Sequence, residues 1–110
     1  MKTIKFTPEF VLLIKSGEKT TTWRLWDDKD LQVNDHVQFI DRSNMSPFAE
    51  VMLTQVVEKK FGDITDDDKV GHEDMGDKAN MYAVFAGYYN KPVDDDTVIK
   101  IIRFHVDRFL

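Results

Sequence analysis

From residue 2 to residue 6 (KTIKF) polar and apolar side chains alternate, the period of a strand with one buried face. The rhythm then changes. Phe10, Leu13 and Ile14 recur at helical spacing behind Thr7-Pro8-Glu9. There Thr7 is expected to cap, Pro8 to take the first turn, and Glu9 to complement the positive helix end. Gly17 is a natural stop, which predicts a helix over about residues 8 to 16. The β-branched and aromatic run Thr20 to Trp26 predicts a strand, broken by Asp27-Asp28-Lys29-Asp30. His36 to Asp41 and Ala49 to Val57 are the next strands, joined through a turn over Arg42 to Pro47. Phe61-Gly62-Asp63 and the aspartates after it read as loop. Met81, Phe85, Tyr88 and Tyr89 then mark a second helix over Lys78 to Tyr89, ended by Asn90-Lys91-Pro92. Thr97 to Val106 is the strongest strand of the chain, rich in valine and isoleucine.

Five or six strands with two helices are too few and too irregularly connected for alternating β-α units. The pattern predicts a mainly-β α+β fold, a small curved sheet or barrel with flanking helices. At 110 residues, with no linker, repeat or low-complexity tail, one domain over 1–110 is expected.

Composition narrows the partners. The chain is 42% hydrophobic and 32% charged, ordinary for a soluble domain, and contains no cysteine. Disulfides and thiolate metal sites are thereby excluded, which accords with a cytoplasmic setting. The longest apolar stretch near the N-terminus, Phe10 to Ile14, is far too short to span a bilayer, so no membrane is expected. The net charge of −5 argues against sequence-independent coating of nucleic acid, which relies on neutralising phosphates. DNA is not expected as a partner. A local basic patch at Lys15, Lys19 and Arg24 remains available, and RNA stays open.

Candidate chemistry concentrates in "SGEKTTTWRLW", residues 16 to 26. Gly17, Lys19, Thr22 and Arg24 spell G-x-K-x-x-T-x-R at the junction of a short helix and a strand. This motif, with the order and spacing of elements along nearly the whole chain, resembles the ASCH domain family. The resemblance implies a PUA-like β-barrel with helices at its side. In size the chain is most similar to the small bacterial ASCH enzymes that act as N(4)-acetylcytidine amidohydrolases. By that resemblance the catalytic residues are Lys19, Thr22 and Glu73, the last in "HEDM" at the start of the second helical region, with Arg24 as the motif arginine. The chain departs from the family pattern at Asn34-Asp35, where Gly-Asp is common, at the bulky Trp23, and around Glu73, where the match is weak. The resemblance implies a small-molecule nucleoside substrate and no cofactor. The alternative is a non-catalytic RNA- or nucleotide-binding module, or a ribonuclease, using the same cleft.

These residue types suit amide hydrolysis. It requires a nucleophile, a base to activate it, charge stabilisation and an acid for the leaving nitrogen. Thr22 supplies a hydroxyl. Lys19 serves as base only when neutral, which requires desolvation or a neighbouring cation such as Arg24. Glu73 then holds Lys19 or carries a proton to the departing amino group. Strand geometry sets a condition on this scheme, because residues three apart on a regular strand point to opposite faces. Lys19 and Thr22 meet only if Lys19 lies in the turn after Gly17, before pairing begins, or if a bulge intervenes.

The other conspicuous side chains have plainer readings beside functional ones. Trp23 and Trp26 either stack a base or fill and cover the barrel. Tyr88 and Tyr89 suit helix-face packing, and by family analogy one of them, Tyr88, lines the pocket. His72-Glu73-Asp74 has the wrong spacing for a two-histidine zinc motif, so no metal is expected. His36 and His105 fall within strands as structural or exposed residues. The triplets Asp66 to Asp68 and Asp94 to Asp96 read as solvated loop ends. Acyl group, nucleobase and oligomeric state are not specified at this level.

Overall fold

The alternating and β-branched runs become five strands in a computed structural model that describes residues 1–110. These are β1 (Lys2–Phe6), β2 (Thr21–Leu25), β3 (His36–Asp41), β4 (Ser46–Lys60) and β5 (Val98–Phe109). They form one sheet in the order β1-β3-β4-β5-β2, curled into a half-barrel. The β1–β3 pair is parallel and the other neighbours are antiparallel. Helix α1 (Pro8–Lys15) carries the chain from one edge strand, β1, to the other, β2. Helix α2 (Lys78–Tyr89) precedes β5. Neither helix is long and apolar enough to cross a membrane.

The long β4–β5 ribbon curls because its ladder is interrupted. Register shifts fall between Glu50 and Val51 and between Leu53 and Gln55, with another in β3 between Phe39 and Ile40. Such bulges bend a strand and increase its twist. The valine- and isoleucine-rich run of β5 is buried on both faces. Ile99 and Ile101 join a cluster with Trp23, Leu25, Phe61 and the α2 residues Met81 and Phe85. Ile102 and Phe104, on the opposite face, join the larger cluster that contains Phe6, Phe39 and the α1 residues Val11 and Ile14. Period-two geometry thus assigns neighbouring side chains of one strand to two separate cores.

Several local expectations need correction. Thr7 precedes α1, but its hydroxyl donates to Glu9 Oε1 (3.2 Å) instead of capping a backbone amide. The Thr7 carbonyl accepts the Phe10 and Val11 amides. β2 is shorter than Thr20 to Trp26, and Trp26 takes a positive φ of 47° that ends the strand. β4 is longer than Ala49 to Val57: it takes in Ser46 and Pro47, beyond the bulge at Phe48 opposite β3, and runs on to Lys60. Phe61–Asp63 and Asp67–Lys69 are single 3-10 turns. The aspartate triplets are also less idle than solvated loop ends. Asp68 pairs with Lys59 (2.7 Å) and accepts the Thr65 amide, while Asp95 accepts from the Tyr82 hydroxyl (2.6 Å) and pairs with Lys78 (2.9 Å).

Candidate active site

The site begins where α1 ends. Gly17 adopts φ +82°, a left-handed conformation that favours glycine, and the amides of Ser16, Gly17 and Lys19 donate back to Leu12, Ile14 and Leu13. This turn places Lys19 ahead of β2, which starts only at Thr21. Strand alternation therefore does not separate Lys19 from Thr22. Both side chains line one cavity and both residues are 3% exposed.

A second segment reaches the cavity from far along the chain. The Gly71 carbonyl accepts two amides, from Thr20 (2.8 Å) and Thr21 (3.1 Å). Next to it, the Val70 carbonyl accepts the Thr21 hydroxyl (3.0 Å) and Arg103 Nη1 (3.3 Å). Gly71 itself has φ +79°, and a Cβ there would fall 2.0 Å from Thr20 Oγ1. Glycine takes this left-handed φ without strain and leaves room for the Thr20 hydroxyl. The latch delivers Glu73 to Lys19: Lys19 Nζ donates to Glu73 Oε2 at 2.5 Å. Glu73 thus lies in the irregular segment ahead of α2, not at the start of the helix.

Electrostatics follow from burial. Desolvation lowers the Lys19 pKa below its usual value, and the Glu73 carboxylate, by charge and hydrogen bond, works against that shift. The positive charge of Arg24 adds to the lowering, but as the smallest influence. His72 was considered above only as a metal ligand, and it has a different role. Its ring stacks on Trp23 with centroids 4.1 Å apart and planes 20° apart, and its Nδ1 donates to the Glu73 carbonyl (2.9 Å). Burial, then the Lys19 charge, lowers its pKa to about 4, so His72 is neutral at pH 7. With the proton on Nδ1, the bare Nε2 faces Glu73 Oε1 at 3.5 Å.

The cavity measures about 220 Å³, and its lining includes Phe6, Phe10, Trp23, Phe85, Tyr88 and Tyr89. Pockets for drug-sized ligands start at roughly 300 Å³, so this one suits a single planar ring with a small substituent. Trp23 is 5% exposed and belongs to the α2-side core while contributing to the cavity wall. Tyr88 lines the cavity and is 58% exposed, which places it at the rim. Trp26 lies outside, edge-on to Tyr89 and under Lys91 Nζ.

Arg24 bridges the open side of the half-barrel. Its Nη2 donates to the Lys5 carbonyl (2.9 Å), joining edge strand β2 to edge strand β1, and its guanidinium lies over the Phe6 ring. The Arg24 Nε and the Trp23 Nε1 are buried with no protein partner. The basic patch expected from Lys15, Lys19 and Arg24 does not form, because Lys19 is turned inward to Glu73. The cations at the cavity mouth are Lys5, Arg24 and Arg42. No local signal marks Lys5 and Arg42: the β1–β3 pairing brings these two together, and the curl of the sheet brings them to Arg24 across its open side.

This architecture is shared with solved ASCH-domain structures. A DUF984-family protein of Enterococcus faecalis V583 superposes with a TM-score of 0.74 at 16% identity, over 92% of this chain and 68% of its own. ASCH of Zymomonas mobilis gives 0.68 at 14% identity, over 97% of this chain and 68% of its own. An ASCH domain from Lactobacillus crispatus JV V101 gives 0.65 at 16% identity, over 86% and 67%. No family model and no curated protein matches the chain, so the likeness is one of fold.

Proposed function

We propose that the protein is an amidohydrolase of the ASCH type that removes the acetyl group from the exocyclic nitrogen of N(4)-acetylcytidine or a closely related acylated nucleoside. The observation that carries this reading is the buried contact between Lys19 and Glu73 (2.5 Å) on the cavity that Thr22 also lines. In such a pair the ionic form and the neutral amine–carboxylic acid form have the same total charge. Desolvation of Lys19 favours release of its proton along this contact, and the transfer sets a base beside an acid.

The chemistry then balances without a further group. Thr22 Oγ attacks the acetyl carbon while neutral Lys19 takes its proton, forming the C–O bond. Collapse of the tetrahedral intermediate breaks the C–N bond, and Glu73 passes the proton it received from Lys19 to the amino group of cytidine. The proton that Lys19 took then passes along the 2.5 Å contact to Glu73 and restores the amine. The amine takes a proton from water as the water oxygen attacks the acyl carbon, and returns it to Thr22 Oγ as the ester C–O bond breaks and acetic acid leaves. Trp23 and the neutral His72 stacked on it brace the Glu73 backbone, and Tyr88 covers the rim. Arg24 orients the site and favours the neutral amine through its charge.

Incubation of the protein with N(4)-acetylcytidine tests the reading, with cytidine and acetate as products. Thr22→Ala is expected to remove turnover, and undiminished turnover in that variant would sink the threonine mechanism. A non-catalytic nucleotide-binding module would use the same cavity, and it predicts ligand binding with no acetate released under any condition.

A further inference from the structure

Charge along the cavity mouth does not follow the rest of the molecule. The chain has 20 acidic and 15 basic residues, yet the outer wall carries Lys5, Arg24 and Arg42 with no carboxylate bonded to any of them. Lys5 and Arg42 are exposed, and their side chains make no hydrogen bond or ion pair. Arg24 spends one nitrogen on the Lys5 carbonyl and keeps a buried Nε unpaired. An adjoining recess of about 140 Å³ is walled by the same three cations with Lys29 and Asp27. Lys29 is committed to the Thr3 carbonyl (2.6 Å), while Asp27, shared with Lys100 (3.5 Å), and Glu73 offset part of the Arg24 charge and leave Lys5 and Arg42 without a bonded carboxylate.

Three like charges gathered with only partial counter-charge repel one another, and an anion joining them relieves that repulsion. The forked donors of arginine and the point charge of lysine are the means by which proteins hold phosphate. The acylated base is placed by the function proposed above at the buried end, against Thr22 and Lys19. The cations are at the exposed end of the same cavity.

We infer that Lys5, Arg24 and Arg42 form a phosphate subsite, so that the substrate is an acylated nucleoside 5′-monophosphate in preference to the free nucleoside. The inference rests on the proposed amidohydrolase reading for the identity of the buried group. The cavity size and the acidic surface favour a mononucleotide over a polymer, whose further phosphates would meet that surface.

The test compares kcat/KM for N(4)-acetylcytidine, its 5′-monophosphate and a short oligonucleotide containing the same acetylated base. The monophosphate is expected to exceed the nucleoside by about tenfold or more, equivalent to about 1.4 kcal/mol. In Lys5→Gln/Arg42→Gln that ratio should collapse towards one. Both positions are exposed, and an unchanged melting temperature will verify the fold. A parallel arm free of catalysis measures equilibrium binding of cytidine 5′-monophosphate against cytidine, in the parent and the double variant. If the nucleoside is hydrolysed and the phosphate adds nothing to rate or affinity, the subsite is overturned and the amidohydrolase reading stands. If no substrate is hydrolysed but the monophosphate binds more tightly through Lys5 and Arg42, the subsite stands and the activity falls. Hydrolysis of the oligonucleotide in preference to the monophosphate would overturn the mononucleotide assignment.

Discussion

Lys19 Nζ and Glu73 Oε2 lie 2.5 Å apart, joined from positions 54 residues distant, with the lysine side chain 3% and the carboxylate 22% exposed. The asymmetry means that the lysine depends on the glutamate more than the reverse. Water can solvate Glu73 in part if Lys19 is lost, but nothing else is bonded to the Lys19 amine.

Replacing Glu73 by glutamine should therefore leave a buried amine without its counter-charge. Breaking a fully buried pair costs roughly 3–5 kcal/mol, and partial exposure of Glu73 reduces the expectation to about 1–3 kcal/mol at neutral pH. The pH dependence carries a definite sign. Because the folded Lys19 pKa is below the ordinary 10.5, the unfolded chain holds a proton that the folded chain has released between those two values. Stability consequently rises with pH across that window. Glu73→Gln removes the larger of the two influences that raise the Lys19 pKa, the carboxylate charge, so its window should extend further down. Melting temperature followed from neutral pH to about pH 10 should climb more steeply in the variant than in the parent. Parallel curves would refute the pairing.

Lys19→Met separates chemistry from packing. The thioether fills a similar volume without a charge, and Glu73 retains access to solvent. Hydrolysis is expected to fall by at least about a hundredfold, the usual weight of a general base, while stability changes by no more than about 1 kcal/mol or rises. A variant that unfolds yet retains specific activity in its folded fraction would show Lys19 to be structural.

At Gly71 an alanine would meet two obstacles, the left-handed φ of +79° and Thr20 Oγ1 at 2.0 Å from the new Cβ. Together these should cost about 2–4 kcal/mol. They should also depress activity, because the displaced carbonyl positions Glu73. Adding Thr20→Ala removes the hydroxyl but not the backbone strain. The double variant should recover part of the lost melting temperature, and no recovery would show that the close approach is unimportant.

The neutral His72 predicts a separate acid-side effect. Its folded pKa of about 4 lies below the free value of 6.5, so the unfolded chain binds the extra proton first as pH falls. Stability contributed by keeping His72 neutral is complete above pH 6.5 and is lost down to about pH 4, on the order of 3 kcal/mol. His72→Phe keeps a ring against Trp23 and cannot titrate. Its melting temperature should fall less than the parent's across this interval, as scanning calorimetry would record.

Much of this fold was legible in the sequence wherever local pattern and local chemistry coincide. Helix α2 occupies Lys78 to Tyr89 as its apolar spacing predicts, because Asp77 caps it by accepting the Asn80 amide (2.8 Å) and Asn90 closes it at φ 54°. The polar ends of β4, Ser46-Pro47 and Glu58 to Lys60, carry no strand signal of their own. They extend because β3 and β5 supply ladder partners. The parallel β1–β3 pair is likewise set by tertiary arrangement. In the site, the glycine before Lys19 pointed to a turn. His72 could not be placed, since its stacking partner Trp23 belongs to another segment and only the Gly71 latch brings the two together. Arg42 gave no sign either, as an ordinary hairpin residue beside β3.

The two hydrophobic clusters do not meet at the cavity; each contributes one side of it. Phe6 and Phe10 come from the α1 side, and Trp23, Phe85 and Tyr89 from the α2 side. A planar ligand lodged there would act as a removable keystone, transmitting packing from one half of the molecule to the other. Occupancy should then raise the midpoint of unfolding, because a ligand that bridges both clusters binds only the chain in which both are formed.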